Sequence, residues 1–545
     1  MRQEIVLTSG HQNHSPLTGS LATPRRLIPS SRIASLSLSL WLLLFAIELI
    51  ASFLLCGHRL IFTLDDPYIH LAVADQILAG GYGVNAGEFS SPSSSIIWPY
   101  LMALTEALHL GAYGPLLVSA AAAAATIFAV LRLLGSLDLF DAGRELHLPA
   151  VMALLVIPAT SALALPMTGL EHSLHVWASV VTLIGLIEVA RGRAPTSGHL
   201  VALVMLPLIR FEGAAFALAA LAGFALLGRW RFAAAGGALI TAVLALYAAS
   251  MMARGLPLLP SSVLLKSRII GQAYDQHSVL LTILDNFTAS LANPYGQRLI
   301  VLGLAICAGA VWLRSDHRTL VVCGAVLTAI AAHLGFGQYD WFHRYEVYVI
   351  ALASVTLLWI VAQLLPRLTA GVRNAAAVVT VALVGFASLP YLWAALVTPF
   401  ASRGIYEQQE QMGRFAREFF PHPVAVNDLG LVAWRNPNFV LDLWGLGSEA
   451  VRKAKLAGAY GPAQMAWLAE ARGVKLAMVY DRWFPSGVPA SWTKVAVLRT
   501  KPVTAAVGDV AFYRTSAADQ GELARALDSF AAQLPPRVTL ERTPQ

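Results

Sequence analysis

Residues 34–56 read ASLSLSLWLLLFAIELIASFLLC, and the fold class turns on them. About twenty consecutive, mostly apolar residues in a helix match the roughly 30 Å thickness of bilayer hydrocarbon. The rest of the chain has the same texture. Of its 545 residues 57% are hydrophobic and only 13% charged, and the mean hydropathy is +0.63, which is the composition of a membrane protein. Residues 1–33 are polar and rich in Ser and Pro. They carry Arg25, Arg26 and Arg32 next to the first span and lack a small-residue cleavage site after a short apolar core. The expectation there is a disordered cytoplasmic tail.

Working outward, further apolar stretches fall at 114–134, 148–166, 173–190, a short pair near 198–209 and 211–228, then 232–252, 298–313, 319–335, 346–365 and 374–398. The count is about eleven. With the Arg-bearing tail inside, alternation also places Arg132/Arg144, Arg191/Arg193, Arg229/Arg231, Arg314/Arg318 and Arg367/Arg373 inside, as the positive-inside rule requires. The stretch from Ser95 to His109 is apolar but short and carries Pro99 and Glu106, so it reads as a re-entrant or interfacial helix; counting it as a span would invert everything after it. An odd number of spans leaves the C-terminal part outside. The expected architecture is an all-α polytopic membrane domain over 34–398 with an external loop at 57–113, followed by an extracytoplasmic α/β domain over 399–545. In that last part an amphipathic helix near Tyr406–Phe420 precedes short β-like runs at 424–426, 474–480, 492–498 and 510–513, which alternate with helical stretches at 462–472 and 519–533.

Several function classes drop out at this point. The formal charge of +7 is spread over short loops, where Lys and Arg act as topology signals, so nucleic acid is not an expected partner. Cys56, Cys307 and Cys323 sit in or beside apolar segments and suggest neither a disulfide nor a zinc framework. No internal repeat of the kind that builds many transporters is evident.

Charges near membrane depth cost about 2.5–3.5 kcal/mol each on insertion scales and so need a reason. On the expected topology they gather on the outer face: Asp65 and Asp66 after the first span, Glu171 before the fourth, Arg210 and Glu212 at the turn of the short hairpin, Lys266 in the next loop, and Asp340, His343 and Arg344 above a later span. Carboxylates and cations at one membrane face suit transfer of a group from an anionic, membrane-anchored donor, with a carboxylate as base and Lys and Arg on the departing phosphate. Each motif also has a plainer reading. Paired aspartates serve as helix caps or solvated loop residues, Arg210/Glu212 as a local ion pair, Lys266 as a snorkelling anchor, and Asp340/Arg344 as a helix-surface pair. His70, His172, His175 and His343 match no zinc spacing and read as helix-face or interface histidines. The tryptophans, Trp98, Trp341 and Trp483 among them, read mostly as belt or core residues, with sugar stacking open for some.

The order of the motifs carries a resemblance. Asp65-Asp66-Pro67-Tyr68-Ile69, then the run from Ala79 to Glu88 (AGGYGVNAGE), then Ser91-Pro92 and Trp98, resemble the first external loop of bacterial family C glycosyltransferases, nearest to the arabinofuranosyltransferase-like and protein-mannosyltransferase-like branch. Thr168-Gly169-Leu170-Glu171, Arg210-Phe211-Glu212-Gly213, Leu259-Pro260-Ser261-Ser262 with Lys266, Tyr339-Asp340-Trp341 with Arg344-Tyr345, Asn427-Asp428-Leu429-Gly430 and Leu441 to Leu446 follow in the family's order. The matches run from residue 65 to residue 446. Pro67, Phe211 and Gln338-Tyr339 depart from the family pattern, and the Arg that often follows its first motif is missing.

The resemblance implies an inverting transferase at the outer face of the bacterial cytoplasmic membrane, using a polyprenyl-phosphate sugar donor and an envelope glycan, lipid or protein acceptor. It implies Asp65 as the leading candidate for the base, Asp66 positioning the acceptor or sharing that role, Glu171 orienting the acceptor or the sugar, and Lys266, Arg210 and Arg344 on the lipid phosphate, with Glu212, Asp340 and His343 among the substrate-binding candidates. No cofactor is expected, although a divalent cation at Asp65/Asp66 stays open. A transporter or flippase of a lipid-linked saccharide, and a lipid-linked glycan polymerase or ligase, are the alternatives.

Overall fold

The computed structural model describes residues 28–137, 148–266, 279–314 and 316–543. Its membrane part begins with α1 (Ile28–Leu55), α2 (Asp66–Leu78), α3 (Trp98–Ala107), α4 (Tyr113–Ser136), α5 (Leu148–Ala159), α6 (His172–Ala190), α7 (Ser197–Ile209) and α8 (Gly213–Leu226). It continues with α9 (Trp230–Ala253), α10 (Ser261–Lys266), α11 (Val279–Ala292), α12 (Pro294–Trp312), α13 (His317–Phe336), α14 (Val347–Leu364) and α15 (Ala370–Glu407). Among the described residues eight helices are long and apolar enough to cross a membrane, and α7, α8 and α11 are shorter apolar helices set among them.

Burial sorts these helices by position. On α1 the side chains of Leu42, Leu43, Ile47 and Leu54 stay exposed, a face for lipid, whereas α14 is buried almost all round and forms the centre of the bundle. The stretch near Ser95–His109 contains the ten-residue helix α3, about 15 Å at 1.5 Å per residue and too short to span. Between the apolar stretches 232–252 and 298–313 the chain holds α10 and α11. The second of these reads poorly as a span because only fourteen residues long. The stretch 148–166 is helical only to Ala159, beyond which the chain turns down to the 3₁₀ turn Pro166–Thr168. Helix α15, with 38 residues, is about 57 Å long and runs unbroken through residue 399, where a domain boundary was expected. It carries the chain out of the bundle directly into the C-terminal domain.

That domain comprises α16 (Gln409–Arg414), β1 (Val424–Val426), α17 (Gly430–Ala433), β2 (Val440–Asp442), α18 (Glu449–Leu456), α19 (Pro462–Ala471), β3 (Leu476–Val479), β4 (Thr493–Arg499), β5 (Asp509–Arg514), α20 (Gln520–Ala531) and β6 (Thr539–Arg542). The strand order is β2-β1-β3-β5-β4-β6. Strand β1 pairs in parallel with β2 (Val424 opposite Val440) and with β3 (Val424 opposite Leu476), and the remaining pairs are antiparallel. Every residue of β1, β2 and β3 is buried, as parallel strands covered on both faces must be. Val451, Met465 and Leu468 of α18 and α19 pack one face. Met412, Leu523 and Phe530 pack the other, together with Ile69 and Val73 of α2 from the membrane part. The sequence runs at 424–426, 474–480, 492–498 and 510–513 coincide with β1, β3, β4 and β5. Strands β2 and β6, three and four residues long, left too short a pattern to read.

The two parts are joined by specific bonds. Asn85 of the first loop completes the free edge of β2: its amide donates to the Val440 carbonyl and its Oδ1 accepts from the Val440 N–H, each at 2.9 Å. Arg59 pairs with Glu410 at 2.6 Å, and the Thr504 hydroxyl donates to the Thr63 carbonyl at 2.5 Å.

Candidate functional site

Where the first loop, the tops of α6–α8 and α10–α13, and the C-terminal ends of β1, β2 and β3 meet, they enclose a cavity of about 830 Å³. Its lining adds apolar side chains from α10, α11 and α13, Val263, Leu265, Ala289 and Phe336, to the polar groups of the loop and domain. In open α/β sheets ligands bind beyond the carboxyl ends of parallel strands, and here those ends form one wall.

The two adjacent aspartates face different partners. Asp66 is the first residue of α2, with Pro67 preset for the helix start, and its carboxylate accepts from Arg344 Nη2 at 2.6 Å. Asp65 stands at the N-cap position of α2, but its side chain makes no bond to that helix. Its two oxygens instead accept the backbone N–H groups of Gly430 at 2.6 Å and Leu431 at 2.8 Å, at the start of α17. Gly430 permits this approach, since a Cβ there would lie 2.1 Å from the Asp65 carbonyl oxygen. Burial pushes the Asp65 carboxyl above the usual range, and the neighbouring Asp428 pushes it further. Asp428, raised by its own burial, accepts from Gln409 Nε2 at 2.8 Å and Tyr480 OH at 3.0 Å.

A second group forms beside Asp66. Gly169 adopts φ +66°, and a Cβ there would meet the Phe62 ring at 2.8 Å, so this turn requires glycine. It delivers Glu171, fully buried, to Arg210 Nη1 at 2.7 Å. Arg210 also grips Glu212 through Nε at 3.2 Å and Nη2 at 2.8 Å. Burial alone would raise the Glu212 carboxyl, but Arg210 overrides it and holds the group down to about 2. His70 Nε2 lies 3.9 Å from Glu171, and burial lowers its pKa, keeping the ring neutral. Tyr345 lies between two cations, with the Arg210 and Arg344 guanidinium carbons 5.4 and 5.0 Å from its ring centre. Arg344 is 3% exposed, and its Nε and Nη1 have no hydrogen-bond partner among the described residues. Buried, unpaired guanidinium N–H groups on a residue that lines a cavity suit an anionic oxygen.

Thus Asp65, Asp66, Glu171, Arg210, Glu212 and Arg344 line one cavity. Asp340 and His343 do not. They belong to a left-handed turn, with φ of +67°, +51°, +67° and +56° over Asp340–His343. This turn aims Trp341 at the cavity and leaves His343 bonded to Tyr295 OH at 2.7 Å and to Asp340 at 3.3 Å. Lys266 ends α10, and its side chain lies outside the described residues. Ser261, at the start of that helix, is tied to the first loop through Ser91 at 2.8 Å. Residues not singled out as site candidates from the sequence also line the cavity: His70, His172, Gln409, Asn427, Asp428, Trp444 and Trp483. Asn427, Asp428 and Trp444 lay within quoted motifs; nothing in the sequence marked Gln409. Among the described residues no group of three or more His, Cys, Asp and Glu side chains is arranged to hold a metal ion.

The fold and site together define a multi-pass membrane protein whose α/β domain closes a charged cavity at one end of the helical bundle. Residues 402–514 match the model of a domain of unknown function (DUF8728). No curated protein matches the chain. Among solved structures, the apo crystal structure of the Archaeoglobus fulgidus oligosaccharyltransferase is similar at a TM-score of 0.41 and 12% identity, over 93% of this chain and 76% of that one.

Proposed function

We propose that the chain is an inverting glycosyltransferase that moves a sugar from a polyprenyl-phosphate donor to an envelope acceptor at the outer face of the cytoplasmic membrane. One observation carries this reading: buried carboxylates and a buried guanidinium with two unpartnered nitrogens belong to residues lining a cavity that Val263, Leu265, Ala289 and Phe336 also line. The apolar side chains suit a prenyl chain and the guanidinium groups a monophosphate.

The adjacent aspartates divide the work. Asp66 orients Arg344, whose unpaired N–H groups take the donor phosphate, while Arg210 bridges Glu171 and Glu212 beside the sugar and keeps Glu212 ionised. Asp65, held by two backbone N–H groups, receives the proton of the acceptor hydroxyl as its oxygen attacks the anomeric carbon from the face opposite the phosphate. A carbon–oxygen bond to the acceptor forms, the bond to the phosphate oxygen breaks, and polyprenyl phosphate leaves with the electron pair. The step as written needs no metal, since Arg344 supplies the positive charge at the phosphate.

The test is reconstitution of the full chain into liposomes with polyprenyl-phosphate sugars supplied on the external side, following donor consumption and lipid translocation together. Donor consumption with release of polyprenyl phosphate, unchanged by a chelator, is expected. Translocation of intact donor without consumption would replace this reading with a flippase.

A further inference from the structure

The wall of the cavity built from the α/β domain carries groups that donor chemistry leaves unused. Trp444 follows β2 and Trp483 follows β3, so the two parallel neighbours of β1 each present an indole beyond their carboxyl ends. Their ring centres are 4.8 Å apart with planes inclined at 54°, and Tyr480 meets Trp483 edge-on at 5.4 Å. Both indoles are half-buried and line the cavity.

Their positions are fixed by local bonding. Asp442 accepts from Trp444 N–H at 2.8 Å and Gly447 N–H at 2.7 Å, and Gly445 at φ +93° turns the chain between them. Lys455 Nζ sits 3.9 Å from the Trp444 ring centre and pins that indole.

Two polar groups accompany the indoles. Asn427 is 4% exposed. The Tyr480 backbone N–H donates to its Oδ1 at 2.7 Å, which fixes the orientation of the amide. Its Nδ2 is then a buried donor with no partner among the described residues, on a residue that lines the cavity. Gln409, 1% exposed, is the converse: its Nε2 donates to Asp428, and its buried Oε1 accepts nothing among the described residues. Leaving such groups unsatisfied in the folded chain is costly. An aromatic pair beside one unused donor and one unused acceptor is complementary to a saccharide, whose rings offer an apolar C–H face and whose hydroxyls both give and take hydrogen bonds. A peptide would instead be expected to use a sheet edge, and the β2 edge is already closed by Asn85.

We infer that Trp444 and Trp483, with Asn427 and Gln409, form the acceptor subsite and that the acceptor is a glycan, bound so that its hydroxyl reaches Asp65. This rests on the reading of the cavity as a sugar-transfer site and narrows its acceptor to carbohydrate.

The experiment uses the full chain in lipid nanodiscs and, as probe, the saccharide pool released by mild acid from the envelope of the source cells. Saturation-transfer NMR reads binding, and the transfer rate is titrated against the same pool. Saturation of the probe is expected with the wild-type protein and in Trp444→Phe, and its loss in Trp444→Ala and Trp483→Ala, with the KM for saccharide raised at least tenfold and kcat changed less. If no saccharide is saturated by the wild-type protein, or if both alanine variants bind as it does, the subsite is overturned, even where sugar reaches a lipid or peptide. Donor consumption is scored separately. Saccharide binding through the indoles without donor consumption would retain the subsite and refute the transfer reading.

Discussion

Asp65 and Asp66 are neighbours in sequence yet belong to different halves of the site, because the first residues of a helix point about 100° apart. One reaches Arg344 and the other the start of α17. The reading of Asp65 as an ordinary cap of its own helix fails for a geometric reason: its carboxylate bonds the N–H groups of a helix 365 residues away. Burial and Asp428 raise its pKa, and a base works only when ionised. Transfer should therefore fall on the acid side through a midpoint above the ordinary carboxylate value of about 3.9. Replacing Asp428 by Asn removes the neighbouring charge and should move that limb to lower pH, whereas Asp65→Asn should lower kcat at least a hundredfold at every pH. Initial rates between pH 4 and 8 decide this. A limb that stays put or rises in Asp428→Asn, or full activity in Asp65→Asn, removes Asp65 from the role.

Short elements carry the closure of the cavity. Helix α17 is only four residues long, yet it holds the Asp65 carboxylate of the first loop against the α/β domain, and Gly430 at its start leaves no room for a side chain. Gly430→Ala places a methyl group against the Asp65 backbone and carboxyl, and overpacking of this sort costs about 1–3 kcal/mol. A lowered unfolding midpoint and transfer reduced more than tenfold are expected, while Gly430→Ser should be no better; an unaltered midpoint and rate would show that the contact is dispensable. The left-handed turn Asp340–His343 is a similar case. Non-glycine residues pay about 1–2 kcal/mol each there, and the cost is met where the turn aims Trp341 at the cavity and pulls Asp340 and His343 away from it. Nothing local in Asp340-Trp341-Phe342-His343 announces positive φ, so the sequence motif placed all of its polar residues in the site. Of the motif's charged residues, Arg344, just beyond the turn, lines the cavity, together with Tyr339, Trp341 and Tyr345.

The arrangement of the entire chain makes one prediction about sidedness. The charged cavity and the α/β domain share one end of the bundle, joined by the unbroken helix α15, whereas Arg193 and Arg229 lie at the opposite ends of α6 and α9 from the cavity. In a Cys307→Ser background, which removes the exposed native thiol, a membrane-impermeant maleimide added outside intact cells should label Val503→Cys, an exposed position, and should label Arg193→Cys only after permeabilisation. The reverse pattern would put the cavity inside and exclude an external donor.

Membrane class, the order of the apolar helices, most strands of the C-terminal domain and the gathering of charges at one face were all legible, because each depends on the composition or periodicity of a contiguous segment. The helix over 279–292 was not, being too short for a span, nor were β2 and β6, too short for a strand pattern. Tertiary structure alone decided which carboxylate meets which partner: Asp66 with Arg344 across 278 residues, Glu171 with Arg210 across 39, and Asp65 with Gly430 across 365. The same long-range packing turned Asn427, Gln409, Trp444 and Trp483 toward the cavity. The physical reason is that burial and apolar periodicity are properties of a segment, whereas desolvated charge pairs and unpartnered polar groups exist only once distant segments have excluded water between them.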